Sequence, residues 1–449
     1  MRFTPLALAL TPTLICADTL VVGPPGSGAP FNSIAAAVEA AAPGDTVHVL
    51  PAGYSETETI DIQKPLALIG SGSASTTIIA PADGLDGGFF FDVRGLAAGE
   101  EVRIAGFRLE YPPLDRGPLA VVEDCAGPVV LADLDGTFGP FLTDSSGPAI
   151  RVENSAQVTL DRCLAEGSFD TPSFDGWPAL HAVASDVHVN ACRLEGGIAS
   201  APTFFLAIGD AGPAILAENA TVRVSRSELI GGQGASQVSL FGEDTLAGPG
   251  AAAVEAIASV VTLRGGPGAS ATGGWGGVGV GIPTPSGSGG PALRSDAAST
   301  ITTTPDVALS GGLDGVGLET APALDVNGTF TTLLDRLATL AAAPTIATIG
   351  GLAAADLSAE PGALFFVFAG LSQGPALAVP GLPGLVVLPL GGYSAFPPVA
   401  LDGAGAGSLP FAVPPTPELA GVSFVLQGLA SNPGGLLSIS APSLVGFAQ

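Results

Sequence analysis

The chain has 449 residues, too long for one ordinary core and long enough for two or three domains. It carries 41 acidic residues against 14 lysines and arginines, a net charge of −27, which excludes nucleic acid and anionic membrane surfaces as partners. Its 64 glycines and 40 prolines would suit a disordered chain, but 47% of the residues are hydrophobic, and the combination points to many short strands joined by many turns.

The first 17 residues, opening "MRFTPLALAL", combine one Arg, a short apolar run and small residues, the pattern of a secretory signal peptide cleaved after Ala17. Cys16 suggests lipid attachment, but Ile15 is bulky where such a signal needs a small residue. The expected location is therefore secreted, extracellular or at the cell surface. No later stretch has the length and unbroken apolarity of a transmembrane segment.

"FNSIAAAVEAAAPGDTVHVLPAGYSET" (31–57) predicts a short helix over about 33–42, capped by Asn32 or Ser33 and ended by Pro43-Gly44. Ile34, Val38 and Ala41 share one face. The preceding "VVGPPGSGAPF" lacks the GxGxxG and GK[ST] spacings, and its prolines remove N–H groups that a phosphate would need. The helix is better read as a cap on the open end of a stack of strands, which would otherwise invite aggregation.

The rest of the first three quarters repeats. "GPLAVVE" (117), "GPAIRVE" (147), "WPALHAV" (177), "GPAILAE" (212), "GPALRSD" (290) and "APALDVN" (321) are versions of one phrase, and second apolar alternations lie between them. Val102, Val129, Val158, Val187 and Val222 align, 27, 29, 29 and 35 residues apart. Ile104, Leu131, Leu160, Val189 and Val224 form a second column, and Phe107, Leu134, Cys163, Cys192 and Ser227 a third. Within a phrase the period is 2, the mark of a strand, and no 10- to 15-residue helical pattern separates the phrases. The expected fold is all-β: a parallel β-helix in which each coil buries its apolar face on the next.

The stretch from "FNSIAAAVEAAAPGDTVHVLPAGY" to "KPLALIGSGSASTTII" resembles the N-terminal signature of secreted right-handed parallel β-helix proteins, the pectin lyase-like superfamily. The resemblance is specific over the first 80 residues and generic beyond. It implies a right-handed solenoid and a family of lyases, hydrolases and proteins without known activity, so it does not select among them. Lyases of this fold hold Ca²⁺ on carboxylates and use a nearby Arg or Lys as base. The place to look is the turn between the second and third columns. There Asp133 lies one coil from Arg162, Asp161 follows inward Leu160, and Asp135 is close by. The plainer reading of this group is a surface Asp–Arg pair, worth at most about 1 kcal/mol. The paired-Asp, Gly-His-Gly and Arg-x-Lys phrases of the fold's hydrolases are missing, which argues against activity.

Cys163 and Cys192 share a column, so the alternatives are a disulfide and two stacked buried thiols, the second preferred because stacked side chains point the same way. His48, His181 and His188 have no metal-ligand spacing, and His188, alternating with inward Val187 and Val189, is expected to face solvent. No cofactor is expected. The acid excess is read first as solubility, with surface Ca²⁺ as the sharper reading. Phe169, Phe174 and Trp177 lie in "EGSFDTPSFDGWPAL", on a loop leaving the solenoid, where they would stack on sugar rings or pack the loop down.

From about 263 to 296 the sequence is Gly/Ser-rich and is expected to form a loop leaving the solenoid (about 265–290) or a flexible insertion. A short helix is expected within 330–345. The tail from 346 to 449 has no Lys, Arg or His and only Asp356, Glu360, Asp402 and Glu418 as acids. Its punctuated strands predict a small antiparallel β-sandwich, an accessory domain after a solenoid of 18–345.

The function expected first is a non-catalytic extracellular protein whose long face binds polysaccharide or a cell-envelope component. The alternatives are a lyase or hydrolase of uronate-containing polymers, and a surface adhesin or envelope structural component. The residue pattern leaves ligand and oligomeric state open.

Overall fold

The computed structural model describes residues 18–81, 85–111, 117–136, 147–168, 175–199, 209–236, 247–278, 286–333, 335–374, 376–379, 382–383, 385–388 and 393–448. The expected signal peptide lies outside them.

The solenoid is a parallel β-helix. One coil serves as the pattern: strand Val158–Asp161, a corner, strand Leu164–Glu166, an excursion, strand Leu180–Val183, and a second corner into the next coil at Asp186–Asn190. Successive first and second strands join one 18-stranded parallel sheet that folds around the corner, and the third strands form a nine-stranded sheet. The register is in step with the predicted columns: Val102, Val129, Val158, Val187 and Val222 are Cα partners in turn, as are Ile104, Leu131, Leu160, Val189 and Val224. All are buried in one continuous core. At about 1.5–3 kcal/mol per buried branched side chain, these ladders are the main reason the coils stack.

The corners are as regular as the strands. Asp133, Arg162, Ala191 and Arg226 occupy the first corner in successive coils, all with φ between 49° and 52°. Asp124, Asn154, Ala184, Asn219 and Ala258 do the same at the second, with φ from 47° to 53°. Left-handed backbone is costly outside glycine, so it persists here because the cross-coil hydrogen bonds on either side determine it. Ser155, Ser185, Ser259 and Ser299 follow the second corner, and their hydroxyls accept the N–H groups of Cys125, Ser155, Ala220 and Ser259 on neighbouring coils.

The N-terminal end is covered by the helix Ile34–Ala40. Ser33 is its N-cap, accepting from the Ala36 N–H, and Ile34, Ala37 and Val38 face the core. Glu56 completes the cap: its carboxylate accepts from the Ile34 N–H at 2.6 Å and from the Ser33 hydroxyl at 2.9 Å.

The described part of the Gly/Ser-rich stretch is built into the solenoid, and residues 279–285 lie outside the described residues. It supplies the strands Val260–Arg264, Ser270–Thr272 and Leu293–Ser295 to the coil. Its glycines extend a tight lattice of extended chains. Gly212 N–H donates to Gly197 O, Gly232 to Gly212 O, Ala251 to Gly232 O, Gly274 to Ala251 O, Gly290 to Gly274 O and Gly312 to Gly290 O, all at 2.8–3.0 Å. A Cβ on Gly274 would stand 1.9 Å from Gly232 O, and one on Gly312 1.9 Å from Gly274 O, so no larger residue fits. Close-approach glycines recur at i and i+3, as in Gly231/Gly234, Gly273/Gly276 and Gly274/Gly277.

No helix occupies the described part of 330–345. Strand Thr329–Thr332 is the last rung of the solenoid, and Thr339–Ala343 pairs antiparallel with Leu352–Ser358 as the first strand of the C-terminal domain. The β-branched and alternating residues here find ladder partners that an isolated helix would not have. Leu352–Ser358 pairs in turn with Ala406–Ala412. A larger sheet contains Ile346–Thr348, Ser443–Ala448, Ser423–Ser431, Leu364–Gly370 and Tyr393–Ala395. Leu340, Ala355, Leu357, Phe365, Val367, Leu426, Val445 and Phe447 from both sheets share one core, giving a small β-sandwich.

Candidate functional site

The sandwich folds back along the solenoid and lies on the outer face of its first-strand sheet. Ile69, Ala105, Val130 and Ala132 of the solenoid pack with Leu388, Val425 and Leu444 of the sandwich. Around this apolar centre several outward polar side chains of the face are drawn in. Arg103 donates to the Ser423 hydroxyl at 2.7 Å and pairs with Glu101 at 2.8 Å. Arg226 donates to Asp356 O, and Arg264 to Ile439 O. Gln157 donates to Gln373 at 2.7 Å.

The predicted carboxylate group sits in this seam. Asp161 has 0% exposure. It accepts from Arg162 Nη2 at 2.8 Å, Asn190 Nδ2 at 2.9 Å, the Ser443 hydroxyl at 2.9 Å and the Leu444 N–H at 2.8 Å. Arg162 also donates from Nε to Thr345 and from Nη2 to Leu444 O. Asp133 is on the neighbouring coil but turns to Ser73, accepting its N–H at 3.0 Å and its hydroxyl at 2.8 Å. Burial raises the Asp133 carboxyl above its ordinary range, opposed by those hydrogen bonds and by Arg162. Asp135 sits past the corner, two residues on, with Oδ1 buried and unpartnered. The structure thus joins Asp161 and Arg162, sets Asp133 beside them on a different partner, and covers the pair with another domain. An acid–base site needs a polymer to reach both groups, and the sandwich backbone already fills that place.

His188 points outward as expected but does not meet solvent. The sandwich covers it, leaving 3% exposed, and burial lowers its pKa to about 3. Sequence alternation separates inward from outward and carries no information on what covers the outward side. Cys125, Cys163 and Cys192 are free and buried. The Cys163 N–H donates to Cys192 Sγ at 3.3 Å, and burial pushes the Cys192 thiol well above its ordinary value. Phe169 and Phe174 lie outside the described residues. Trp177 is half-buried with its indole Nε1 enclosed and unpartnered, and its backbone begins the glycine lattice, with Gly197 donating to its carbonyl at 2.8 Å.

The sides away from the seam are open. The outer face of the nine-stranded sheet carries an ion-pair ladder, Arg94–Asp92, Arg151–Glu153 and Arg294–Asp325, with His181 Nε2 3.3 Å from Glu218. A cleft of about 710 Å³ separates the cap helix from the strand Glu58–Ile62, lined by Glu39, Glu58, Asp61, Gln63 and Lys64. Lys64 Nζ is held on the carbonyls of Glu39 and Ala41, which close the helix C-terminus. The glycine lattice presents Trp275, 55% exposed, with Ile198 and Val278 also exposed. Trp275 occupies the position that is not glycine in "GGWGG", so its backbone is fixed by lattice hydrogen bonds while its ring stands in water. Sequence reasoning passed over Trp275 because the glycines around it read as a flexible loop. The signal that finds it is the three-residue spacing of those glycines.

Among the described residues no group of three or more His, Cys, Asp or Glu is placed to hold a metal ion, and no helix is long and apolar enough to cross a membrane.

No protein-family model matches the chain, and no curated protein matches it. Solved structures do. The enzymatically active domain of tailspike protein 4 from bacteriophage CBA120 is similar over 86% of this chain, with 13% identity and a TM-score of 0.32. The chain spans 64% of that domain's length. The corresponding domain of tailspike protein 2 from the same phage gives 86% of this chain and 69% of its own, with 10% identity and a TM-score of 0.31. The catalytic domain of a GH87 α-1,3-glucanase gives 70% and 68%, with 10% identity and a TM-score of 0.19. At such values the likenesses assign neither substrate nor activity.

Proposed function

We propose that this is a secreted or cell-surface, non-catalytic β-helix protein that binds extracellular polysaccharide on its open, glycine-rich side, with Trp275 as the principal contact. On its N-terminal phrase we place it beside the pectin lyase-like proteins. The observation that carries the reading is the closure of the Asp161–Arg162 pair under the sandwich, while a tryptophan stands exposed on a rigid lattice. A lyase or hydrolase needs several convergent polar groups in a groove that a sugar can enter. A binding protein needs a flat aromatic platform with hydrogen-bonding neighbours, and Trp275 with Gln233 at the equivalent place one coil earlier supplies both.

The test is a panel of neutral and uronate-containing polysaccharides offered to the mature protein with and without Ca²⁺, following retention and release of unsaturated or reducing ends together. The reading expects retention without new ends, and at least a tenfold loss in Trp275→Ala. New ends that require Ca²⁺ and disappear in Arg162→Ala would make it a lyase instead.

A further inference from the structure

The seam between solenoid and sandwich has a charge imbalance at Arg264; Arg226 also lacks an ion pair, but the charge of Asp356 acts on it. Arg103 is paired with Glu101, Arg162 with Asp161 and Arg223 with Asp186. Arg264 is buried, donates Nη1 to Ile439 O at 2.6 Å, and has no carboxylate within ion-pair distance among the described residues. Its Nε–H is buried and unpartnered. His188, on the same outer face, has neither ring nitrogen in a hydrogen bond. Register brings these groups together: His188 is the Cα partner of Arg223, and Arg264 that of Ser225, two residues farther on.

No carboxylate of the described residues is within ion-pair distance of Arg264, and burial and the neighbouring Arg223 lower its pKa with no acid opposing them. Among the four acids of the sandwich, the charge of Asp356 acts on Arg226, which donates to its backbone oxygen, Glu360 accepts the Arg336 N–H, and Asp402 closes its own turn. Segments 375, 380–381, 384 and 389–392 hold only Pro, Gly and Leu, so no carboxylate is supplied from there. A buried guanidinium without a counter-charge is strongly unfavourable. Counting Arg264, the Arg223–Asp186 pair and neutral His188, the local charge is one positive unit.

We propose that the seam holds a small monovalent anion of the chloride class on the Arg264 guanidinium, between Arg223 and His188, as a fixed component of the contact between the two domains. One negative charge neutralises the group. The free Arg264 Nε–H, and the N–H that a neutral imidazole always carries, are donors, as an anion requires. The low pKa of His188, to which both arginines contribute after burial, is consistent with a local excess of positive charge.

The experiment follows thermal unfolding of the full mature chain as chloride replaces the bulky anion gluconate at constant ionic strength. The expected result is a saturable upward shift of the midpoint in wild type and no shift in Arg264→Met, which removes the charge and keeps the apolar stem. An unchanged midpoint in wild type, or the same shift in both proteins, overturns the proposal. Should Arg264→Met fail to fold, crystals of the wild-type chain soaked in bromide decide. An anomalous peak within hydrogen-bond distance of Arg264 Nε supports the site, and a water without anomalous signal there overturns it.

Discussion

The carboxylate of Asp161, on the outer face of the strand that carries Val158, accepts the backbone N–H of Leu444 at 2.8 Å across 283 residues of chain. The same oxygen accepts from Arg162 and Ser443, while the other takes Asn190, whose own Oδ1 accepts from Ser225 at 2.8 Å. A residue whose type and position suit catalysis is thus the centre of a network that locks one domain to another. Removing it leaves Arg162 without its counter-charge and the Leu444 N–H unpartnered in a buried place. Asp161→Ala is expected to lower stability by about 3–5 kcal/mol and to make the seam more open to protease. Denaturant unfolding and a limited digest check this. Wild-type stability in the variant would mean that the network is idle.

Acidification acts on the same seam through His188. Its folded pKa is about 3 and its ordinary value 6.5, so between these the unfolded chain binds the extra proton. Stability from this residue is full above about pH 6.5, falls as the pH drops, and levels off near pH 3. Asp186, Arg223 and Arg264 face it. Asp186 and Asp133, raised by burial, act in the opposite sense, returning stability as the pH falls through their folded values. His188→Leu isolates the histidine: its stability is expected to decline less between pH 7 and 4, by on the order of 3 kcal/mol. Parallel slopes for the two proteins would contradict the assignment.

Glycine in the lattice is a matter of space. Gly274→Ala puts a methyl group 1.9 Å from Gly232 O, where only backbone can yield, and is expected to cost about 2–3 kcal/mol. Gly403 has nothing within 4 Å of a new Cβ, so Gly403→Ala should stay within about 0.5 kcal/mol of wild type. Chemical denaturation of the pair checks the contrast, and equal effects would contradict the lattice.

The N-terminal cap depends on Glu56 as much as on Ser33. Glu56→Ala removes a charge-assisted acceptor from Ser33 and Ile34 and is expected to cost about 2 kcal/mol, with added light scattering as the first coil loses its cover. Unchanged melting and scattering would show that the helix is held by its apolar face alone.

What could be read from the sequence follows from how local the determinants are. The columns through Val158, Leu160 and Cys163 were legible because a period of 2 within a phrase and a fixed spacing between phrases together give register. Ser33 and Ile34 were legible because capping chemistry and helix periodicity fall within ten residues. The cover over Asp161 and His188 was not, because alternation assigns a side to each residue and the partners, Ser443 and Leu444, are some 280 positions away. The lattice was missed for a different reason. Composition alone makes "GGPGASATGGWGGVGVG" a flexible linker, whereas Gly273, Gly274, Gly276 and Gly277 are set where neighbouring backbones approach too closely for a side chain. The helix expected within 330–345 failed because Thr339–Ala343 has a ladder partner, Leu352–Ser358, that local propensity does not register.

The central claim is that the Asp161 face is closed and ligand meets the open side. The most direct measurement is amide hydrogen exchange on the full chain, with and without a polysaccharide retained by the panel. The account predicts that Leu444 and strand Val158–Asp161 exchange slowly and equally in both states, while protection rises over Gly273–Val278 around Trp275. Fast exchange at Leu444 in the free protein, with new protection at Asp161 and Arg162 when polysaccharide is bound, would contradict it.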